Sequence, residues 1–325
     1  MIWYLTPTGL AALGPTTASK QPERSGNLKY TKQGNPELRQ LTGREDAFTE
    51  LGDLTALYEG LATHVRQHVN PLSAQLQIPT PAPCWTELFQ DPALPLQVDV
   101  GCGSGRFVLI RAHRLAGSGK AGQKGAVSAE ANVLGLEIRE KLVQRAQAWS
   151  DRLGLQNCRF MFTNATVSWR SLLQSYPGPI DLVSMQFPDP HFKKRHHKRR
   201  HVQPQLVREM GETMQPGARV FLQGDVPEAV RWMRDMFERH GSDYFSLAPE
   251  CFKSSDRDEW ETPSQDSCGR QGSDEGEEQQ EELDLLGLEA REHGLRWSSD
   301  PTAGWLPGNP LGVPTEREVY VSKVH

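Results

Sequence analysis

Several things are scarce in this chain of 325 residues, and each scarcity removes a class of protein. No window approaches the ~18 uncharged apolar residues that a membrane helix needs, and the mean hydropathy is -0.59; no membrane association is expected. Cysteine occurs five times, at Cys84, Cys102, Cys158, Cys251 and Cys268, an odd number with no C-x-x-C spacing. That argues against a zinc site and against a disulfide framework, and for reduced thiols inside a cell. The start, MIWYLTPTGLAALGPTTASK, lacks the charged head and long apolar core of a secretory signal. It has no acid before Glu23, as organelle transit segments do, but also no arginine before Arg24. An intracellular protein is expected, with cytoplasm, nucleus and plastid all open.

Net charge is also small, -5, but it hides an uneven layout. Residues 193–201 hold six Lys/Arg and three His, whereas 274–289 hold eight Asp/Glu and no Lys or Arg. Any phosphate binding would have to come from the local basic run and not from the whole charge.

What is present is an alternation of short apolar runs with longer helical patterns. Strands are expected at 96–100 (LQVDV), 133–138 (VLGLEI), 158–163 (CRFMFT), 180–187 (IDLVSMQF), 218–224 (ARVFLQG), 244–248 (YFSLA) and 318–323 (EVYVSK). Helices are expected at 141–153, 202–214 and 227–240, and an earlier one where Leu51, Leu54, Leu57, Tyr58, Leu61, Val65 and Val69 recur at helical spacing. The pattern predicts an α/β protein, a doubly wound and mostly parallel seven-stranded sheet, whose ligands sit beyond the carboxyl ends of the strands. The expected organisation is a flexible extension over 1–45, a first domain portion over 46–252, an acidic low-complexity insertion over 253–297, and a closing portion over 298–325. A second Gly/Ala/Ser/Lys loop covers 116–132.

The first strand runs into Asp99-Val100-Gly101-Cys102-Gly103-Ser104-Gly105. Such glycines let the backbone turn tightly and approach a ligand. Arg106 follows, which fits poorly with the Gly-x-Gly-x-x-Gly of dinucleotide sites. The later GSGK at 117–120 is not a phosphate loop, because Arg114 stands where the first glycine belongs and Ala121 follows the lysine. Glu137 at the end of the second strand can accept from ribose hydroxyls, and Asn164 after the third can meet an adenine edge. This order of groups resembles the class I S-adenosylmethionine-dependent methyltransferases, with their Rossmann-like fold. Many members carry Asp at the position of Asn164, and the gap from Asp99 to Glu137 is long, an excess assigned to the 116–132 loop.

The fourth strand ends in FPDPHFKKRHHKRR, from Phe187 to Arg200. Two prolines stiffen the backbone around Asp189. The motif, with the glycine turn before it and PTEREVYV at 314–321, closely resembles the tRNA (guanine-N7-)-methyltransferase family; the Asn/Asp-Pro-Pro-aromatic motif of amino-group methyltransferases is absent. The resemblance runs from about Tyr30 to the end, outside the two insertions. It implies methyl transfer from S-adenosylmethionine to N7 of guanine-46 in the tRNA variable loop. It implies Asp189 as the catalytic residue, with Asp99, Gly101, Gly103, Gly105, Glu137, Asn164 and Asp189 at the cofactor. It further implies Lys193, Asp225, Thr315 and Glu318 at the substrate. The remaining cations Lys194, Arg195, Lys198, Arg199 and Arg200 are expected on the tRNA backbone, because phosphates supply most of the affinity in such complexes. No metal is expected, since the run's histidines have no Cys or acid at ligand spacing. The partner is tRNA, with a β-propeller subunit or none.

Two other readings remain. A non-catalytic RNA-binding protein on the same fold would not need Glu137 or Asn164, and absence of cofactor affinity would favour it. A methyltransferase acting on another RNA atom or on protein would be exposed by the position of the methyl group in digested product.

Overall fold

A computed structural model describes residues 2–7, 51, 65, 69–117, 130–247 and 309–318. Its strands are β1 (Ile2–Pro7), β2 (Leu96–Val100), β3 (Asn132–Glu137), β4 (Cys158–Phe162), β5 (Ile180–Gln186), β6 (Arg219–Gly224) and β7 (Ser246–Leu247). Its longer helices are α1 (Arg106–Gly117), α2 (Glu140–Arg152), α3 (Ala165–Leu173), α4 (Pro204–Thr213) and α5 (Pro227–His240).

The five strands β2 to β6 follow the apolar runs of the sequence. β2 and β3 are buried along their whole length, as central strands of a parallel sheet must be when helices cover both faces. Every recorded pairing is parallel, and the order across the sheet is β4-β3-β2-β5-β6-β1-β7. Leu96, Val98 and Val100 pack with Trp169, Leu206, Met210 and Phe237 from α3, α4 and α5. Phe107, Val108, Trp149 and Val133 form the core on the other face, under α1 and α2. Prolines begin α4 and α5, where a missing N–H costs nothing.

The edges of the sheet depart from expectation. Ile2–Pro7, expected inside a flexible extension, pairs in parallel with β6 from Ile2↔Arg219 to Pro7↔Gly224; IWYLTP is rich in the apolar and aromatic residues that suit a strand. Among the described residues of the run at 244–248, the strand is Ser246–Leu247. The strand expected at 318–323 lies outside the described residues apart from Glu318, which sits in a helical turn. The extension after residue 7, the helix expected from Leu51 onwards apart from Leu51, Val65 and Val69, residues 118–129 of the Gly/Ala/Ser/Lys loop and the acidic insertion from 253 also lie outside them.

Connections from β2 lead one way, to β3 and β4, while β5 leads the other way, to β6. The crevice of such a sheet opens where the order reverses, here between the carboxyl ends of β2 and β5. Those ends carry the glycine turn and the Pro188-Asp189-Pro190 segment.

Candidate active site

Asp99 lies on β2 opposite Ser184 of β5. Ser184 Oγ donates to Asp99 Oδ1 at 2.6 Å and Gln186 Nε2 donates to the same oxygen at 3.2 Å. Burial pushes the carboxyl up to about 6, against the lowering effect of these two bonds. The glycine turn follows with positive φ at Gly101, Gly103 and Gly105, of 78°, 57° and 84°. Two of these glycines have separate roles. A Cβ on Gly105 would lie 2.7 Å from Ala146 Cβ, so this glycine lets α2 approach; on Gly103 it would meet nothing nearer than Arg139 Nη2 at 3.9 Å. The backbone is therefore open to a ligand at Gly103.

Glu137, at the end of β3, faces that opening. It accepts from Gly103 N at 2.9 Å and from Arg139 through its backbone N (3.0 Å), Nε (2.8 Å) and Nη2 (3.1 Å). Four donors occupy the four lone-pair directions of a carboxylate. A ribose hydroxyl can therefore bond Glu137 only by sharing with, or displacing, the Arg139 guanidinium. His201 closes the other side: its Cε1 would lie 3.1 Å from a Cβ on Gly101. Desolvation holds its imidazole below the ordinary value, opposed by the charges of Glu137 and Asp189.

Asn164 caps α3, its Oδ1 accepting from Thr166 N at 3.2 Å. Its Nδ2 donates to the carbonyls of Pro71 and Leu76 at 3.2 and 3.0 Å. The segment before β2 is thereby tied to the end of β4, and Thr80 Oγ1 adds a bond to Thr163 Oγ1 at 2.8 Å. Both amide protons are used within the chain, and only acceptor capacity on Oδ1 remains for an adenine amino group.

Asp189 follows β5 and is 44% exposed. Phe187 and His191 flank it with φ of 50° and 47°, a conformation that side-chain-bearing residues rarely adopt. His191 N donates to Asp189 Oδ1 at 3.3 Å. Beyond it, Lys194–Arg199 form a 3-10 helix. Lys193, Lys194, Arg195 and Lys198 are exposed and Arg199 is half-buried. Arg200 differs from the expectation that it meets a phosphate: it is buried, ion-paired to Glu228, and bonded through Nε to Pro190 O at 2.9 Å.

Residues 309–318 form a strap that joins the glycine turn and α1 to the residue after β6. Ser104 Oγ donates to Glu316 Oε2 at 2.6 Å, and buried Arg106 pairs with Glu316 Oε1. Arg317 Nε donates to Asp225 Oδ2, beyond β6, at 2.7 Å. Asp225 thus comes to the site already paired. Thr315 and Glu318, expected as substrate contacts, face each other instead: Glu318 N donates to Thr315 Oγ1 at 3.0 Å and Asn309 Nδ2 donates to Glu318 Oε2 at 2.9 Å. In that geometry the T-x-x-E spacing is a helix-capping box.

The crevice therefore gathers Asp99, Gly101, Gly103, Glu137 and Asp189, with Asp225 joined through the strap. Sequence reasoning missed Arg139, whose place two residues after Glu137 was a usable signal. It also missed the inward turn of His201 and the role of Glu316, which lies 212 residues from Ser104 and carries no local mark. Among the described residues no group of His, Cys, Asp and Glu is arranged to hold a metal ion, and no helix is long and apolar enough to cross a membrane.

Residues 93–258, about half of the chain, match the family described as putative methyltransferase. A tRNA (guanine-N(7)-)-methyltransferase of Synechococcus sp. (strain JA-3-3Ab) is 48% identical over 184 residues, 57% of this chain and 72% of that protein. Another, of Synechococcus sp. (strain JA-2-3B'a(2-13)), is 38% identical over 262 residues, 81% of this chain and 80% of that protein. Of solved structures, a SAM-dependent methyltransferase from Aquifex aeolicus is 20% identical with a TM-score of 0.29, covering 49% of this chain and 82% of that one; the fold rests on the sheet order and not on this likeness.

Proposed function

The chain belongs to the tRNA (guanine-N(7)-)-methyltransferase family, and from that premise we propose that it methylates N7 of guanine-46 in the variable loop of tRNA, using S-adenosylmethionine. The observation that carries this reading is the pairing, across β2 and β5, of an open glycine turn flanked by Asp99 and Glu137 with the stiffened Asp189.

The residues suit the cofactor. Gly103 leaves room for it, Glu137 takes its ribose in exchange for the Arg139 guanidinium, Asp99 takes its amino-acid end, and Asn164 retains acceptor capacity for its adenine. Bound there, S-adenosylmethionine supplies an electrophilic methyl group on a sulfonium sulfur. Guanine N7 has a lone pair and no proton, so no group of this chain has to act as a base. The work left to the protein is orientation and charge. Asp189 accepts from the guanine N1 and N2 donors and stabilises the positive charge that the purine gains as its N7–methyl bond forms. Lys193, Lys194, Arg195, Lys198 and Arg199 meet tRNA phosphates, while Asp225, held by Arg317, bounds the substrate side and Thr315 and Glu318 shape the strap. The catalytic domain comprises 46–252 and 298–325 together with the strand Ile2–Pro7, with the rest of 1–45 and 253–297 as additions to it.

Asp189→Ala tests the reading. It should retain the melting temperature of the native chain and lose far more methyl transfer to unmodified tRNA than cofactor affinity; near-native turnover would remove Asp189 from its role. Digestion of the product to nucleosides should yield 7-methylguanosine, and methyl on any other atom would refute the substrate assignment. The same assay on the purified chain alone separates a self-sufficient enzyme from one that needs a β-propeller subunit.

A further inference from the structure

The last cation of the basic run points inward. Arg200 is 6% exposed. Its Nε donates to Pro190 O at 2.9 Å, its Nη2 lies 2.9 Å from His197 Nε2, and it is ion-paired to Glu228 in the first turn of α5. The guanidinium also lies over the Trp232 ring, 4.8 Å from its centroid, and Trp232 Nε1 donates to Val202 O at 3.2 Å.

Pro190 is the residue after Asp189, in a segment whose two ends, Phe187 and His191, take φ of 50° and 47°. Such a residue is strained and persists only where its surroundings over-determine it. At the upstream end the constraint is Phe187 N, which donates to Gln223 O on β6 at 2.8 Å. At the downstream end it is Arg200.

We propose that Arg200 is a positioning residue for Asp189 and not a phosphate ligand. It ties the Pro190 carbonyl to α5 and so sets where the Asp189 carboxylate meets guanine. The inference rests on the reading of Asp189 given above. Arginine is required because one planar guanidinium serves Pro190 O and Glu228 at once; lysine keeps the charge but has a single nitrogen.

The test uses the full chain with Arg200→Lys, Glu228→Gln, Asp189→Ala and the double variant Asp189→Ala/Arg200→Lys, each checked by thermal melting. Arg200→Lys should lower kcat roughly 10- to 100-fold, the scale of a displaced catalytic group. Its tRNA affinity, and the slope of that affinity against salt, should not change. Glu228→Gln should lower kcat less, and it decides the matter if Arg200→Lys fails to fold. The double variant should be no slower than Asp189→Ala. A salt slope reduced by about one with kcat intact would make Arg200 a phosphate ligand, and losses that multiply in the double variant would also overturn the proposal. An inactive Asp189→Ala alongside native rates in Arg200→Lys and Glu228→Gln overturns the positioning role alone. A native rate in Asp189→Ala overturns both readings.

Discussion

Ser104 donates to Glu316 at 2.6 Å, so the glycine turn is held by a residue from the far end of the chain. The same carboxylate pairs with Arg106, which is buried at the first position of α1. Glu316→Ala should therefore cost more than a surface substitution, because it removes an anion paired with a buried cation. With Glu316 itself 27% exposed, a loss of about 2–3 kcal/mol is expected, below the range for wholly buried pairs. Ser104→Ala, which removes one hydrogen bond, should cost about 1 kcal/mol. Denaturant unfolding measures both, and equal small losses would refute the role of the strap.

Asp99 should act oppositely on stability and on binding. Its carboxyl is raised from an ordinary value of 3.8 to about 6, mainly by burial. Between those values the folded chain holds a proton that the unfolded chain has lost, so stability falls as pH rises from about 4 to about 6 and the deficit is complete above 6. Asp99→Asn keeps an acceptor for Ser184 and removes the deficit. At pH 7.5 it should be more stable on the order of 2–3 kcal/mol, with the two curves converging near pH 4. Cofactor affinity should fall in the same variant. Melting across pH and calorimetric titration check the two halves; a variant less stable at pH 7.5 would contradict the first.

Gly103 and Gly105 share a positive φ but should fail differently. Gly105→Ala places a methyl 2.7 Å from Ala146 Cβ and 2.8 Å from Phe160 Cε1, and overpacking of that kind costs typically 1–3 kcal/mol. Gly103→Ala meets no such wall, so it should fold with only about 1 kcal/mol of backbone strain and lose cofactor affinity. Reversed outcomes in melting and titration would exchange their roles.

These contrasts mark what was legible in the sequence. The central strands and the helices at 140–152, 204–213 and 227–240 were close to their expected bounds, because burial on both faces writes apolar runs and amphipathic helices write a period. The acids and glycines at strand ends were legible for the same reason, since a parallel sheet brings successive strand ends to one edge. Partnerships were not. Nothing local distinguishes Arg200, turned onto Glu228, from Lys198, turned to solvent. Nor does T-x-x-E reveal whether its Glu meets a substrate or, as Glu318 does, its own backbone. Ile2–Pro7 was missed because a strand of six residues, far in sequence from its partner β6, is read against the aperiodic Thr/Gly/Pro-rich text that follows it.

Asn164 should not tolerate replacement by aspartate. Its two amide protons are donated to the carbonyls of Pro71 and Leu76. Asn164→Asp would turn a carboxylate towards two carbonyl oxygens, with no proton to offer above its pKa. The cap on α3 survives, but the segment before β2 should detach. A lower melting temperature and faster amide exchange over residues 70–80 are expected at neutral pH, with recovery towards pH 4 as the carboxyl protonates. Unchanged exchange would show that Thr80, bonded to Thr163 and Ser168, holds the segment without Asn164.

The basic helix should reveal its partner through salt. Lys193, Lys194, Arg195 and Lys198 are exposed on one short stretch, and so many like charges side by side are favourable only against an anion. For a nucleic acid, each neutralised phosphate contributes roughly 0.7–0.9 to the slope of log affinity against log salt. Changing Lys193, Lys194 and Arg195 together to Gln should flatten that slope by about two to three for tRNA, with cofactor affinity unaltered. The single substitution Lys198→Gln should flatten it by no more than about one. If the triple variant binds tRNA with the native slope, the run is a solvated surface and the phosphates are met elsewhere.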